Sequence, residues 1–554
     1  MKRVFLVLTV ALALLLVAGV GTAAASPPAS QSSGQTAGSE QEAGTAAGTA
    51  QQEPTNRNIS VRVLSPGDDG SVSQSNKASS NATAGNLNQT GQTADQAQAG
   101  SGTQAVGQSV MSAQDALALG ETIQTEPSNE NISVRVLSPG NDGSVSQSNE
   151  ASSNAEAGNM NATQQAAGQE QAGSGCCGGA GSQVVGQSAD SDQDATALSA
   201  TQQTKPSNSN SSIRVLIPGD GGSVSQSNTA SSNAEAGNGN WTDQSAEQAQ
   251  AGASCKCGGA GTQIVGQSAE SEQGATALSA TQQTKPSNSN SSVRVLSPGH
   301  DGSVSQSNEA SSNAEAGNTN WTKQAADQGQ GAGSGMQVVG QSADNAQSAD
   351  ALAMTHQEGA SNENAPIRVL SPGDGGSVSQ SNTASSNAEA GNGNWTDQSA
   401  EQAQGKQEHE RPGYGCCGAG IQAIGQSAQN EQGATALAVT EQLGLKPPCH
   451  CGDHSSIGNS HTPVRTLSPG HDPSVRQSNE AASTATAVNW NATLQGVRQL
   501  QAPSCGCKGD AGIQAVGQSD KTGQRTAALA ASAQRWPYDR VEHRKTAWHR
   551  KDRR

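Results

Sequence analysis

Thirteen alternate residues recur, fixed or nearly so, through six copies of one repeat, while the residues between them drift. In the first copy they are Gln74, Asn76, Ala78, Ser80, Ala82, Ala84, Asn86, Asn88, Thr90, Gln92, Ala94, Gln96 and Gln98. The same face opens with Gln147 and Asn149, Gln226 and Asn228, Gln306 and Asn308, Gln380 and Asn382, and Gln477 and Asn479 in the later copies. A side-chain period of two belongs to a strand, so the pattern predicts β-structure with one specified face. A helix would send positions 74, 76 and 78 to different sides. The drifting positions tolerate charge and bulk: Lys77, Glu150, Thr229, Glu309, Thr383 and Glu480 are equivalent. They are expected to face solvent or a partner.

The fixed face is made of amides, hydroxyls and methyls, with no catalytic set, phosphate loop or paired carboxylates at usable spacing. The chain is therefore expected not to be an enzyme and to need no cofactor. Aromatics make up 2% of the sequence, and its single Phe is Phe5. A conventional core of large side chains is excluded, because burial yields only ~25 cal/mol per Å². Charged residues are 14%, against ~25% in ordinary proteins. Polar chains of low charge that are rich in Asn and Gln stay mobile alone yet are prone to β-stacking.

Residues 1–25 read as a secretory signal peptide: Met1-Lys2-Arg3, an apolar run from Val4 to Val20, and Ala23-Ala24-Ala25 before Ser26. No later segment is apolar enough to span a bilayer, so no membrane span is expected after signal removal. Residues 26–56 read as a disordered low-complexity leader. Residues 57–534 hold six tandem repeats, at about 57–128, 129–207, 208–287, 288–361, 362–448 and 449–534, and residues 535–554 form a basic tail. Each repeat carries Arg-Val-Leu-Ser-Pro-Gly or a variant, whose Pro-Gly is turn chemistry. Each also divides into two half-modules that open on Val or Ile two residues before a Gln, as at Val72 and Val106. The expected fold is an all-β repeat protein with disordered linkers and termini. Two geometries fit. In a β-solenoid each half-module is one rung, with a corner at Gly85 and its equivalents, and twelve rungs rise ~58 Å at ~4.8 Å each. Alternatively, each repeat is a long hairpin tipped by the Gly-rich loop near 99–103. Ala-rich pieces such as Ala527 to Ala533 remain open to helix on propensity.

Stacked copies of one amide can each donate to one neighbour and accept from the next. Gln187-x-Ala189-x-x-x-Gln193-x-Ala195 and its relatives in other copies resemble the Gln/Asn/Ala stacking repeats of curli-type secreted amyloid subunits. The resemblance implies a surface fibre or matrix component.

All ten cysteines fall in close pairs: Cys176 and Cys177, Cys255 and Cys257, Cys416 and Cys417, Cys449 and Cys451, and Cys505 and Cys507. Export favours disulfides, and bridges between neighbouring repeats or chains suit these loops better than bridges within a pair. Cys449-His450-Cys451 with His454 offers zinc-ligand types without a matching second half, so no metal is expected. Trp241, Trp321 and Trp395 occupy equivalent positions and suggest a ligand or packing stripe. Sequons such as Asn161-Ala-Thr163 arise from Asn and Thr alternating on the fixed face. The acidic body, with a net charge of −17, disfavours nucleic acid. The leading expectation is a secreted structural protein that assembles with itself into an extracellular surface layer, coat or matrix. The alternatives are a repetitive cell-surface adhesin that binds a glycan, cell-wall or matrix polymer, and a disordered secreted spacer.

Overall fold

A computed structural model describes residues 29–100, 102–172, 181–251, 261–331, 335–405, 420–444, 458–501, 512–535, 540–541 and 544–545. The described chain is all-β, and its strands stack in parallel into three sheets. Sheet A holds β1 (Ala29–Gln52), β4 (Gly102–Thr125), β7 (Ser182–Thr204), β10 (Thr262–Thr284), β13 (Met336–Glu358), β16 (Ile421–Leu443) and β20 (Ile513–Arg535), in that spatial order. Sheet B holds the short strands β2 (Thr55–Val63), β5 (Ser128–Val136), β8 (Ser207–Val215), β11 (Ser287–Val295), β14 (Ser361–Val369), β17 (Gly458–His461) and β18 (Val464–Thr466), with β21 (Arg540–Val541) and β22 (Arg544–Lys545) at its end. Sheet C holds β3 (Val72–Ala99), β6 (Val145–Ala172), β9 (Val224–Gln250), β12 (Val304–Gln330), β15 (Val378–Gln404) and β19 (Val475–Gln501).

One turn of the coil is therefore a sheet A strand, a sheet B strand and a sheet C strand. This corrects the rung expected from sequence. The two half-modules of a repeat do not stack on each other. Each stacks on its own equivalents, and the rung is a whole repeat. The hairpin geometry survives in altered form: β3 and β4 are the arms of a hairpin, but they lie in different sheets and meet through side chains. Asn88 Nδ2 donates to Ser112 Oγ across the gap at 3.0 Å, and Gln92 Nε2 donates to the Ser109 carbonyl at 3.1 Å.

A 28-residue strand such as β3 is about 90 Å long at ~3.3 Å per residue, well beyond the ordinary 3–10 residues. No Pro interrupts the strands of sheets A and C, and each interior strand of these two sheets has partners of nearly matching length on both sides, as β12 has in β9 and β15. Gly85 is not a corner. It lies in the middle of β3, pairs with Gly158 and points outward. The corners fall where the backbone turns left-handed. Between sheets A and B these are Glu53, Glu126, Lys205, Lys285 and Gly359, with φ of 48–68°. Between sheets B and C they are Leu64, Leu137, Leu216, Leu296, Leu370 and Leu467, followed by the Pro-Gly turn. The turn glycines Gly67, Gly140, Gly219, Gly299, Gly373 and Gly470 have φ of 133–141°. A Cβ on Gly140 would also collide with the Gly67 carbonyl, so the stacking distance as well as the turn requires glycine there.

Two further expectations are corrected. Residues 29–52, read as part of a flexible leader, form β1 and pair along their length with β4. The pairing matches Gln31, Gly34, Gln35, Gln41 and Gln51 with Gln104, Gly107, Gln108, Gln114 and Gln124. Residues 527–533 belong to β20 and are not helical. The neighbours that extended pairing supplies outweigh the small intrinsic preference of Ala for helix.

The interior is a thin double layer. Ala82, Ala84, Ala116 and Ala118 and their equivalents pack between sheets A and C and are almost wholly buried. Farther along, a small residue of sheet C meets a larger one of sheet A, as in the cluster containing Ala94, Val106, Ala167 and Val185. Small side chains bring the sheets close enough for amides on one to reach carbonyls on the other.

Candidate functional site

The structure gathers the fixed-face residues into continuous ladders. Asn76 Nδ2 donates to Asn149 Oδ1, Asn149 to Asn228, Asn228 to Asn308, Asn308 to Asn382 and Asn382 to Asn479, at 2.8–2.9 Å. The Asn86 and Asn88 positions repeat this through all six sheet C strands. Gln ladders run the other way. Gln147 donates to Gln74, Gln226 to Gln147, Gln306 to Gln226, Gln380 to Gln306 and Gln477 to Gln380. The Gln92 position does likewise from Gln165 upward. The opposed directions set amide dipoles against each other within the slab. A second amide hydrogen crosses the slab, as from Gln165 to the Ser188 carbonyl at 3.0 Å. Each bond contributes only ~0.5–1.5 kcal/mol net, so the stability of the stack comes from their number.

A third set of ladders was not anticipated. In sheet B, Asn56, Asn129, Asn208, Asn288, Asn362 and Asn459 form one column. It is bonded sideways to the Asn76 column, as from Asn149 to Asn208 at 3.1 Å. Beside it stands a column of arginines, Arg62, Arg135, Arg214, Arg294, Arg368 and Arg465, one per marker. Arg135, Arg214, Arg294 and Arg368 are at most 2% exposed. Arg135 donates to the Gly67 carbonyl at 2.7 Å and to the Asn141 carbonyl at 2.9 Å, which ties successive turns together. Its Nε lies 2.9 Å from Asp69. Burial alone would raise the Asp69 pKa. Hydrogen bonds from Arg135 and Ser133, with the charges of Arg135 and Arg62, outweigh it and hold the carboxyl below its ordinary value. The sequence signal was an Arg in every marker followed seven residues later by Asp in four of them.

The drifting positions face outward. Trp241, Trp321 and Trp395 stand in register on the outer face of sheet C. The first two stack with centroids 4.5 Å apart. Trp490 joins them from a position two residues earlier in register and lies 6.0 Å from Trp395. Gly85, Gly158, Gly237, Gly317 and Gly391 leave a groove of about 750 Å³ along the same face. The sequon residues Asn161, Thr163, Asn240 and Thr242 are buried in the interior. The ten cysteines, residues 1–25 and most of the basic tail lie outside the described residues.

Outward carboxylates also stack. Glu156, Glu235, Glu315 and Glu389 are in register. Burial, and then the charges of Glu315 and Glu156, raise the Glu235 pKa. Asp194 is raised by burial, Asp192, Asp115 and Glu272, and Asp327 by burial, Glu401 and Glu247. A carboxyl raised in the folded state binds its proton more tightly there than when unfolded. Its contribution to stability is fully present below the ordinary value and is lost as pH rises through the raised one. Asp69 acts in the opposite sense and loses its contribution as pH falls from 3.8 through its lowered value. The denaturant midpoint of the folded chain is therefore expected to peak at mildly acidic pH and to decline toward neutrality. Equilibrium unfolding from about pH 3 to about pH 8 measures this, and a midpoint that climbs steadily from pH 5 to pH 7 would contradict it.

Among the described residues both ends of the stack are open. β1 terminates sheet A at one end and β20 at the other. At the β20 end, Gln514, Gln518, Gln524 and Gln534 donate inward to Gln422, Gln426, Gln432 and Gln442, so their Oε1 atoms end the ladders. At the β1 end, Gln31, Gln35 and Gln41 accept from Gln104, Gln108 and Gln114 and donate to carbonyls of β3, which leaves one N–H of each to end the ladder. One end presents acceptors and the other donors, at equivalent positions. Among the described residues no sheet C strand covers β20 beyond β19, and Val516 is 52% exposed where its equivalents Val185 and Val265 are 1% exposed. Comparison of the chain with protein-family models, with curated proteins and with solved structures finds no match.

Proposed function

We propose that this chain is a secreted structural protein that assembles head to tail, through its open rungs, into an extracellular fibre or surface layer. The observation that carries the reading is the complementarity of the two ends. Gln31, Gln35, Gln41 and Gln51 are the register equivalents of Gln514, Gln518, Gln524 and Gln534. A second copy whose β1 lies on β20 in this register continues the glutamine ladders without a new type of contact. Parallel stacking makes the contact heterologous, and heterologous contacts that do not close give filaments. Open edges that retain unpaired backbone groups favour the same outcome. Sheet A then runs unbroken between copies, while sheet C, with six strands to its seven, is interrupted at each junction. Seven sheet A strands at ~4.8 Å give an axial repeat of about 34 Å.

The test is elongation of preformed fibres by the mature chain, followed by electron microscopy and fibre diffraction. Polar fibres with a ~4.8 Å meridional reflection are expected. A Gln35→Glu, Gln518→Glu chain, which sets carboxylates face to face at the junction, is expected to elongate at least about tenfold more slowly. A chain that stays monomeric at all concentrations, or an undiminished rate in the double variant, overturns the proposal.

The exposed tryptophan row beside the glycine groove favours a second reading, a glycan-binding adhesin. Aromatic faces in a row suit the apolar faces of sugar rings in an extended polymer. Binding of a cell-wall polysaccharide by monomer, abolished when Trp241, Trp321 and Trp395 are replaced by Ala, would support it.

A further inference from the structure

The buried arginine column has fewer acids than bases. Seven residues after Arg62, Arg135, Arg214, Arg294, Arg368 and Arg465 stand Asp69, Asp142, Gly221, Asp301, Gly375 and Asp472. Where the acid is present it meets Nε of its own arginine, at 2.7 Å for Arg62, 3.2 Å for Arg135, 2.8 Å for Arg294 and 2.9 Å for Arg465. Asp69, Asp142 and Asp301 also reach the arginine of the next rung. The two glycine rungs differ. At Gly375 the ring of Pro473 fills the position, with its Cδ 2.5 Å from where a Cβ would stand. Arg368 there directs Nε to Asp301 at 2.9 Å.

At Gly221 neither substitute operates. The Arg214 side chain is 1% exposed, and its Nε has no partner among the described residues. Its Nη1 donates to the Asp220 carbonyl and lies 3.2 Å from Asp142, and its Nη2 donates to the Gly140 carbonyl. Nε is the atom that meets the same-rung carboxylate in the four rungs that possess one. Two donor nitrogens stand near Gly221, beside the carboxylates of Asp142 and Asp301. A Cβ there would stand 3.0 Å from the Gly302 backbone nitrogen and 3.2 Å from Arg294 Nη2. The position opens on a channel of about 320 Å³ between sheets B and C, lined also by Asp142, Ser212 and Asp301. Burial lowers the Arg214 pKa. Asp142 opposes this, and Arg294 and Arg135 add to it. An additional negative charge at this rung would relieve both the repulsion and the unsatisfied donor.

We propose that the Gly221 rung is a binding site for a small monocarboxylate anion of formate or acetate size. Its carboxylate receives Arg214 Nε and Arg294 Nη2 and takes the place that Asp69, Asp142 and Asp301 fill in other rungs. The site is specific to this rung, because every other arginine Nε in the column is already engaged.

The probe is ¹³C-formate, observed by its transverse relaxation in the presence of the full mature chain at constant ionic strength. Excess relaxation is expected with the wild-type chain, and a loss of at least about tenfold in apparent affinity with Arg214→Gln. Gly221→Asp, which tethers a carboxylate at the site, is expected to abolish formate binding and to remove any formate dependence of the thermal midpoint. If Gly221→Asp does not fold, as judged by circular dichroism, the wild-type and Arg214→Gln measurements decide alone. No excess relaxation with the folded wild-type chain, or equal affinity in Arg214→Gln, overturns the assignment.

Discussion

The Asn228→Asp chain is expected to lose about 3–5 kcal/mol of local stability in the middle of the stack, the cost of an uncompensated buried charge. Asn228 is fully buried. Its Nδ2 faces the Ser287 carbonyl at 3.2 Å, Asn288 Oδ1 at 3.1 Å and Asn308 Oδ1 at 2.9 Å. Aspartate replaces that donor with an oxygen surrounded by three acceptors, so either a charge is buried or a proton is held at a cost. The deficit should therefore shrink as pH falls. Asn233→Asp is the internal comparison. Asn233 lies on the outer face and is only half-buried, and its change should cost less than about 1 kcal/mol. Hydrogen exchange resolved by strand is the suitable measurement, because a repeat stack need not unfold as one unit. Asn233 also belongs to an asparagine column, on the outer face, so equal deficits for the two variants would mean that burial of the inner amide columns does not set their contribution.

The second large effect is expected from Ala314→Leu. Ala314 is 0% exposed and sits between sheets A and C. Ladders and cross-slab bonds on either side, such as Gln324 to the Ser342 carbonyl at 2.9 Å, fix how far apart the sheets stand. Three added carbons have no space to enter. The expected cost is about 3 kcal/mol, the upper part of the range for overpacking, because the neighbouring amides must break for the sheets to separate. Leucine at Thr319, five residues along but outward-facing, should be nearly neutral. Its equivalents are already Leu87, Met160, Gly239, Gly393 and Trp490. Strand-resolved exchange again provides the measurement, and comparable protection in the two leucine variants would refute the tight-slab account.

The alternation of Asn76 with Lys77 and of Asn88 with Gln89 was enough to read which face turns inward, because a strand projects a period of two directly onto burial. The same period does not say which strands are neighbours. Val72 and Val106 open similar half-modules, so sequence allowed them to be consecutive rungs, whereas the left-handed corners at Glu126 and Leu137 interpose a third strand. That strand was hidden because Asn129, Asn131 and Arg135 alternate over only nine residues next to a conspicuous Pro-Gly turn. β1 was missed because Ser33 stands where Val106 provides the aliphatic anchor. Its glutamines carried the signal nonetheless. The arginine column was visible only as an invariant letter, since the pairing of Arg135 with the acid of the previous rung spans 66 residues. Trp490 escaped because it is displaced by two positions from the other tryptophans.

The segments that join sheet C to sheet A differ in length from rung to rung, yet the following strand always resumes the same register. The strand ends that these segments connect, such as Ala99 and Gly102, Ala172 and Ser182, and Gln250 and Thr262, stack a rung apart along one rim of the slab. That rim has the geometry of a comb whose teeth are ~4.8 Å apart, far closer than the ~30 Å breadth of a small folded domain. Short peptides grafted there would fit on every tooth, whereas a folded passenger would exclude its neighbours and fit only once or twice per molecule.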